Sequence, residues 1–240
     1  MPSRKRRRFL ESALLAGAGA ALGGDRSAWA SEGSSRKWII PTDTPDRFHL
    51  KVMAFNPGPA PDPRSWELAI DGLAAAPLRL KLAELARLPR ITQSSRLKCV
   101  QCWSGRVLWE GFRASELFKL ARPKPEASWV RIDCADRYFD FIKMEDLLHP
   151  RTLFALGMNG EALSPEHGAP LRLVIPSKYG YRSCKLIAKL TFAEAGGQGI
   201  VADAWPGYYS PTGDIEPGVD HPFDFPGETR KIAGGEIVDY

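Results

Sequence analysis

The sequence predicts a mixed α+β domain, rich in short strands and holding few, short helices. Three observations carry the fold class. Apolar and polar residues alternate over short runs, as in "WELAIDG" (66–72), "SWVRIDCAD" (128–136) and "CKLIAKLTFAE" (184–194), the period of a half-buried strand. Helical spacing is confined to a few brief segments. Twenty prolines and 22 glycines punctuate the chain, which shortens the elements between them.

In chain order, "NPGPAPDPRS" (56–65) holds four prolines and reads as an irregular loop. "WELAIDG" is a strand ending at Gly72. "PLRLKLAELARLP" (77–89) has leucines at helical spacing between two prolines and predicts a helix. "RLKCVQCW" (96–103) is strand-like and runs into a turn at Ser104-Gly105. "RASELFKLA" (113–121) predicts a helix capped by Ser115. "SWVRIDCAD" and "YFDFIKM" (138–144) are strands around an Asp-Arg turn, and "MEDLLHP" (144–150) is a short helix closed by Pro150. "LFALGMNG" (153–160), "PLRLVIP" (170–176) and "CKLIAKLTFAE" supply three further apolar runs, the second a buried strand. From about residue 195 glycine, proline and aromatics dominate; such a tail is irregular, yet its rings favour wrapping the core over exposure.

The first thirty residues read as an address. Cations at Arg4 to Arg8 precede Phe9-Leu10, then an Ala-rich apolar run from Ala13 to Leu22, then Ala28-Trp29-Ala30. The apolar run is shorter than the ~20 residues a membrane-spanning helix needs. The order of features is that of an export signal cleaved before Ser31, and Arg6-Arg7 followed by Arg8-Phe9-Leu10 resembles the twin-arginine type, which carries folded proteins to the periplasm. Residues 31–40 read as a flexible leader, and residues 41–240 as one domain. The address holds +4 of the chain's net charge of +5, so the remainder is nearly neutral and carries no nucleic-acid footprint.

Four cysteines occur: Cys99, Cys102, Cys134 and Cys184. In an exported protein the default is disulfides, but these four lie in or beside strands rather than in a small loop-rich scaffold. A structural zinc site would want a second C-x-x-C or paired histidines, and His49, His149, His167 and His221 are scattered. A redox dithiol would want its C-x-x-C at a helix start, and here the flanks are a strand and a turn. The residues alone leave these alternatives open.

Five pieces, taken in order, resemble the molybdopterin domain of the sulfite oxidase family: "TPDRFHLKV" (44–52), "RLKCVQCWSGRVLWEGF" (96–112), "IDCADRYFDF" (132–141), "NGEALSPEHGAPLRLVIPSKYGYRSCKLI" (159–187) and "VDHPFDF" (219–225). The resemblance covers most of residues 41 to 225, and the His-Gly-x-Pro-x-Arg run with Lys-Tyr-Gly is its most specific part. It is closest to the branch whose exported catalytic subunits reduce protein methionine sulfoxide. It implies a single molybdopterin carrying molybdenum, with Cys99 as the catalytic metal thiolate, a soft ligand beside the soft sulfurs of the pterin. Cys102 is then a core thiol or a neighbour of the metal.

The same resemblance places Arg172 and Lys185 at the pterin and its phosphate, a group that calls for cations and backbone donors. Ser183 and Cys184 fall where the family supplies backbone contacts, His167 at its His-Gly position, Cys134 where relatives have Ser or Thr near the metal, and Phe48 and His49 in the segment entering the site. Lys51, Gln101, Tyr179, Tyr181 and Trp205 are expected around the substrate. The chain departs from the family twice. Arginines that bind sulfite are missing near Cys99 and from "FHLKVM", which argues against a doubly charged oxyanion. Gln101 replaces the Glu of the methionine-sulfoxide branch, removing a carboxyl that could relay protons. The implied activity is oxygen-atom transfer that reduces a small or protein-borne sulfoxide, with a haem or cytochrome electron partner, by a periplasmic monomer. The alternatives are a sulfite or other sulfur-oxyanion dehydrogenase, and a cofactor-free binding protein stapled by Cys99–Cys102 or Cys134–Cys184.

Overall fold

The computed structural model describes residues 52, 56, 59–99, 103–204, 212–215, 219–220 and 230–231. Two five-stranded sheets form the frame. The first runs in the order β2-β1-β10-β5-β6, with β1 at Glu67–Gly72, β2 at Leu78–Lys81, β5 at Trp129–Cys134, β6 at Phe139–Lys143 and β10 at Ile187–Ala193. Only β1 and β10 pair in parallel; the other ladders of this sheet are antiparallel. Alternation does here what the sequence predicts. Leu68 and Ile70 of β1, Val130, Ile132 and Cys134 of β5, and Ile142 of β6 all turn inward, because side chains along a strand alternate between faces.

Against these inward faces packs the helix α2 (Ala114–Ala121), whose Ala114, Leu117, Phe118 and Ala121 are buried at three- and four-residue spacing. Phe118 meets Phe192 of β10 edge to face, ring centroids 5.2 Å apart, a favoured aromatic geometry. The helix ends where Arg122 turns left-handed (φ 51°) and its N–H closes on the Phe118 carbonyl. Its start corrects the expected cap. Arg113, extended, stands at the N-cap and makes no side-chain capping hydrogen bond, and Ser115 lies inside the first turn.

The second sheet orders β3 (Ile91–Cys99), β4 (Trp103–Phe112), β7 (Leu153–Met158) and β8 (Glu161–Ala162), with β9 (Arg172–Val174) also paired to β7. It is antiparallel throughout. The β3–β4 hairpin pairs Lys98 with Ser104 and Cys99 with Trp103. Ser104-Gly105, expected as a turn, is therefore strand; the connection lies at residues 100–102, outside the described residues.

The helix expected over 77–89 is also corrected. Leu78–Lys81 is the edge strand β2, and only Leu82–Leu85 is helical (α1). The spacing Leu78, Leu82, Leu85 fits a helix, but Leu78 and Leu80 also alternate with Arg79 and Lys81, and pairing with β1 decides in favour of the strand. Met144–Leu148 forms the short helix α3, as expected, and Ile200–Ala204 the short helix α4. No described helix is long and apolar enough to cross a membrane.

Candidate functional site

The site is assembled where the second sheet meets the chain leading into β10. Cys99, the last residue of β3, is half-buried. Residues directly opposite in an antiparallel pair share a face, so Cys99, Leu97 and Ser95 lie on the same face as Val107 and Trp109 of β4. Arg172, the first residue of β9 and 3% exposed, sets its guanidinium 4.7 Å from the centroid of the Trp109 ring. Arg172 therefore stands on the Cys99 side of the sheet. Arg96, Lys98 and Arg106, all buried, belong to the opposite face: Arg96 pairs with Arg106, and Lys98 with Ser104.

Around Arg172 the chain forms a cradle. Its Nη1 donates to the His167 carbonyl at 2.9 Å, at the end of a 3-10 turn Pro165–His167. Gly168 follows with φ 105°, and a Cβ there would stand 2.9 Å from Lys185 Cβ and 3.2 Å from Arg172 Cβ. Only a glycine both adopts this backbone and lets the two cationic stems close on it. Lys185 Nζ donates to the Glu166 carbonyl at 2.8 Å. Burial pulls Arg172 down to about 10. Burial first, then the Arg172 charge, pulls Lys185 down to about 8. Both cations are thus held in a place that disfavours their charge.

The turn carrying Lys185 is stitched down on both sides. Ser183 Oγ accepts the Ile175 N–H at 3.1 Å. The Cys184 carbonyl accepts the Leu173 N–H, the Leu186 N–H donates to the Gly168 carbonyl, and the Ala135 N–H donates to the Leu186 carbonyl. Cys184 and Cys134 are buried free thiols in side-chain contact; that contact, then burial, pushes the Cys184 thiol well up, so it stays protonated. A Cys134–Cys184 disulfide is absent.

Upstream, Tyr179 forms a bridge with Lys98, which brings the turn within one residue of Cys99. Tyr179 stacks on Tyr181, centroids 6.2 Å apart. Burial raises the Tyr181 phenol above its usual range, so it remains neutral. The structure thus gathers Cys99, Cys134, His167, Arg172, Tyr179, Tyr181, Ser183, Cys184 and Lys185 into one region. Phe48, His49, Lys51, Gln101, Cys102 and Trp205 lie outside the described residues.

Several contributors escaped the sequence reading. Trp109 under Arg172 is one. Another is the buried pair Arg182–Asp140, Nη1 to Oδ1 at 2.5 Å. A third is Lys178, which pairs with Asp146 at 3.2 Å and Asp214 at 2.6 Å. Asp140 alone left a signal: it occupies an inward position of β6, two residues from Ile142, and an acid in an inward phase calls for a buried cation.

A sequence profile of the oxidoreductase molybdopterin-binding domain matches residues 56–201. The chain belongs to this family. Curated relatives in it include the protein-methionine-sulfoxide reductase catalytic subunit MsrP of Campylobacter jejuni, 32% identical over an alignment of 176 residues, with 66% of this chain and 59% of the relative covered. The subunit of the same name from Ralstonia nicotianae is 30% identical, covering 67% and 53%. That from Gluconobacter oxydans is 33% identical, covering 67% and 57%. The chain thus spans between a half and three fifths of the length of these relatives. Among solved structures, the sulfane dehydrogenase SoxCD of Paracoccus pantotrophus superposes with a TM-score of 0.53 at 26% identity, covering 56% of this chain and 40% of that one. The match accords with the strand-rich α+β fold.

The residues of the cradle fit the family's cofactor. A phosphate-terminated pterin needs positive charge and hydrogen-bond donors out of bulk water. Arg172 Nε is buried with no hydrogen-bond partner among the described residues, and beside it stands a second cation whose charge burial disfavours. An anion would relieve both. At the other end, a half-buried cysteine sulfur on the same sheet face fits a soft metal.

Proposed function

We propose that this chain is an exported molybdenum–molybdopterin oxidoreductase that reduces a sulfoxide-type substrate such as protein methionine sulfoxide. The observation that carries the reading is the pair of burial-strained cations, Arg172 and Lys185, closed on Gly168 on the Cys99 side of the sheet. Arg172, Lys185 and the backbone of Ser183 and Cys184 hold the pterin and its phosphate, with His167 and Cys134 beside them and Phe48 and His49 entering from the amino-terminal side. Cys99 holds the metal. When bound, the cofactor supplies two-electron oxygen-atom transfer.

The chain's own part is placement and electrostatics. Trp109 backs Arg172 and keeps its guanidinium flat and dry. Tyr179 and Tyr181 form an aromatic wall that excludes water, while Lys51, Gln101 and Trp205 complete the substrate pocket. Gln101, an amide, orients rather than exchanges a proton. Export to the periplasm by the twin-arginine route, a haem or cytochrome electron partner, and a monomeric state belong to the same proposal.

Oxidation of a sulfur oxyanion is the second reading, favoured by the likeness to a sulfane dehydrogenase. Face parity weighs against it: the buried Arg96, Lys98 and Arg106 project from the side of the sheet away from Cys99, so they do not meet a substrate at the thiolate. The unbridged Cys134 and Cys184 weigh against a disulfide-stapled binding protein. The test is metal and pterin analysis of the chain expressed in a host that makes molybdopterin, with assays on methionine sulfoxide and on sulfite. One molybdenum per chain and turnover of the sulfoxide are expected. A protein purified without pterin would refute the cofactor reading, and turnover of sulfite alone would reverse the direction.

A further inference from the structure

We infer that Arg182 and Asp140 are positioning residues that fix the Ser183–Lys185 turn against the first sheet and so set the grip on the cofactor's anionic end. The inference rests on the cofactor reading above. Asp140 and Arg182 are 1% and 4% exposed at their side chains. Arg182 donates from Nη1 to Asp140 Oδ1 at 2.5 Å and from Nη2 to the Phe141 carbonyl at 2.6 Å. Two donors of one planar group thus land on two consecutive residues of β6, which fixes both the height and the rotation of the side chain. Arg182 is the residue before Ser183, at the end of the 3-10 turn Gly180–Arg182.

A strap closes from the other side. Gly213, at φ 68°, lies so close that a Cβ there would stand 2.3 Å from Arg182 Cγ. The strap is fastened to the same turn: the Tyr179 N–H donates to the Gly213 carbonyl at 2.7 Å, and Lys178 Nζ donates to Asp214 Oδ1 at 2.6 Å. Arg182 is therefore held between β6 and the strap, one residue from the cofactor turn. Tyr138 of the β5–β6 connection adds a tie, its hydroxyl donating to the Tyr181 carbonyl.

The pair is a poor choice if stability were its only purpose. Burial raises Asp140 to about 7, against the pull of Arg182 and the Phe141 N–H. Asp140 Oδ2 and Arg182 Nε are buried without hydrogen-bond partners among the described residues. Well-packed apolar residues of the same volume generally stabilise as much as a buried ion pair or more. What the ion pair adds is direction. An apolar pair could slide, whereas a guanidinium bonded to a carboxylate and a carbonyl cannot, and Lys185 is only three residues further along.

The test uses the full chain expressed in a molybdopterin-making host. Three quantities are read for each variant: pterin retained per chain after prolonged dialysis, affinity of the pterin-free protein for inorganic phosphate, and midpoint of thermal unfolding. Arg182→Met is expected to lose pterin about 10- to 100-fold faster than wild type, the range typical when a supporting partner of a cofactor site is removed. Its phosphate affinity should fall as well, and Arg182→Lys, which keeps one donor, should recover part of both. A core variant in the helix packed on the first sheet, Phe118→Leu, serves as the control for destabilisation and should keep its pterin. Equal retention in Arg182→Met and wild type, or equal loss in Phe118→Leu, would overturn the inference. If Arg182→Met fails to fold, Gly213→Ala presses on the Arg182 stem from the strap with the ion pair in place, and unchanged retention there overturns it equally. A wild-type protein without pterin would count against the cofactor reading, and phosphate affinity would still decide the positioning role.

Discussion

In the sheet β2-β1-β10-β5-β6 the inward residues include Leu68, Ile70, Val130, Ile132, Leu190 and Phe192, all of them below 3% exposed, while in the sheet built on β3 and β4 the buried set includes Gln93, Ser94, Ser95, Arg96, Lys98 and Arg106. The first sheet has one buried face, and its strands alternate accordingly. In β3 six consecutive residues, Gln93 to Lys98, are buried, so both faces are covered and the period-2 signal vanishes. The contents differ as well. Apolar side chains gain free energy from leaving water, whereas buried cations cost it and persist where their charge is used. The first sheet is an apolar core, whereas the second buries cations and ends at the candidate metal ligand Cys99.

That division is open to attack from both sides. The largest expected effect is on the second sheet: Cys99→Ser should lose molybdenum and fall to background activity, while stability to denaturant moves by less than ~0.5 kcal/mol, as for a substitution outside a packed core. Full metal content in that variant would erase the distinction at its centre. Next comes the mirror experiment. Phe192→Ala in β10 removes a ring 1% exposed that meets Phe118 and should cost about 3–5 kcal/mol of unfolding free energy, while pterin content per folded chain stays at the wild-type level.

The third expectation is a pH dependence. Lys185 sits at about 8, below its ordinary 10.5. Its contribution to stability is therefore fully present above 10.5 and lost as pH falls through about 8, where the buried amine must take a proton. A bound phosphate reverses the preference and favours the ammonium, so binding takes up a proton above pH 8. Affinity of the pterin-free protein for inorganic phosphate should be greatest below pH 8 and weaken by up to about tenfold per pH unit above it. Titration calorimetry at pH 7.5, 8.5 and 9.5 reads the slope, and Lys185→Arg should flatten it. The smallest effect belongs to the solvent side of the scaffold. Glu116→Ala breaks the exposed i,i+3 pair with Lys119 and should cost only about 0.2–0.5 kcal/mol, with no change in cofactor content.

The readable parts of the fold are those where one physical signal acted alone. Strands with one wet face, such as β1, β5 and β6, were plain from alternation, and α2 from its spacing. Leu78–Lys81 is ambiguous in sequence because four residues of alternation and one turn of helix look alike until a neighbouring strand takes up the hydrogen bonds. Ser104-Gly105 carries turn residues but lies in β4, because Ser104 pairs with Lys98 and Gly105 with Leu97. The expected cap of α2, Ser115, falls two residues too late, since the chain enters the helix from an extended Arg113. Arg172, Lys185 and Cys99 are candidates because their motifs resemble those of the family. Trp109 and Arg182 were not legible, because nothing local distinguishes an aromatic that backs a cation, or an arginine that anchors a turn, from ordinary residues of a core and a surface.

By itself the sequence determined the class of fold, the family and the identities of the cationic and thiol groups, since these follow from periodicity and from short motifs whose parts are near in the chain. Tertiary structure decided which of those groups share a face, which cations turn away from Cys99, and how a turn at 183–185 is held by a strand forty residues earlier and a strap thirty residues later. Those are questions of direction and contact between distant segments, and only the packed chain answers them.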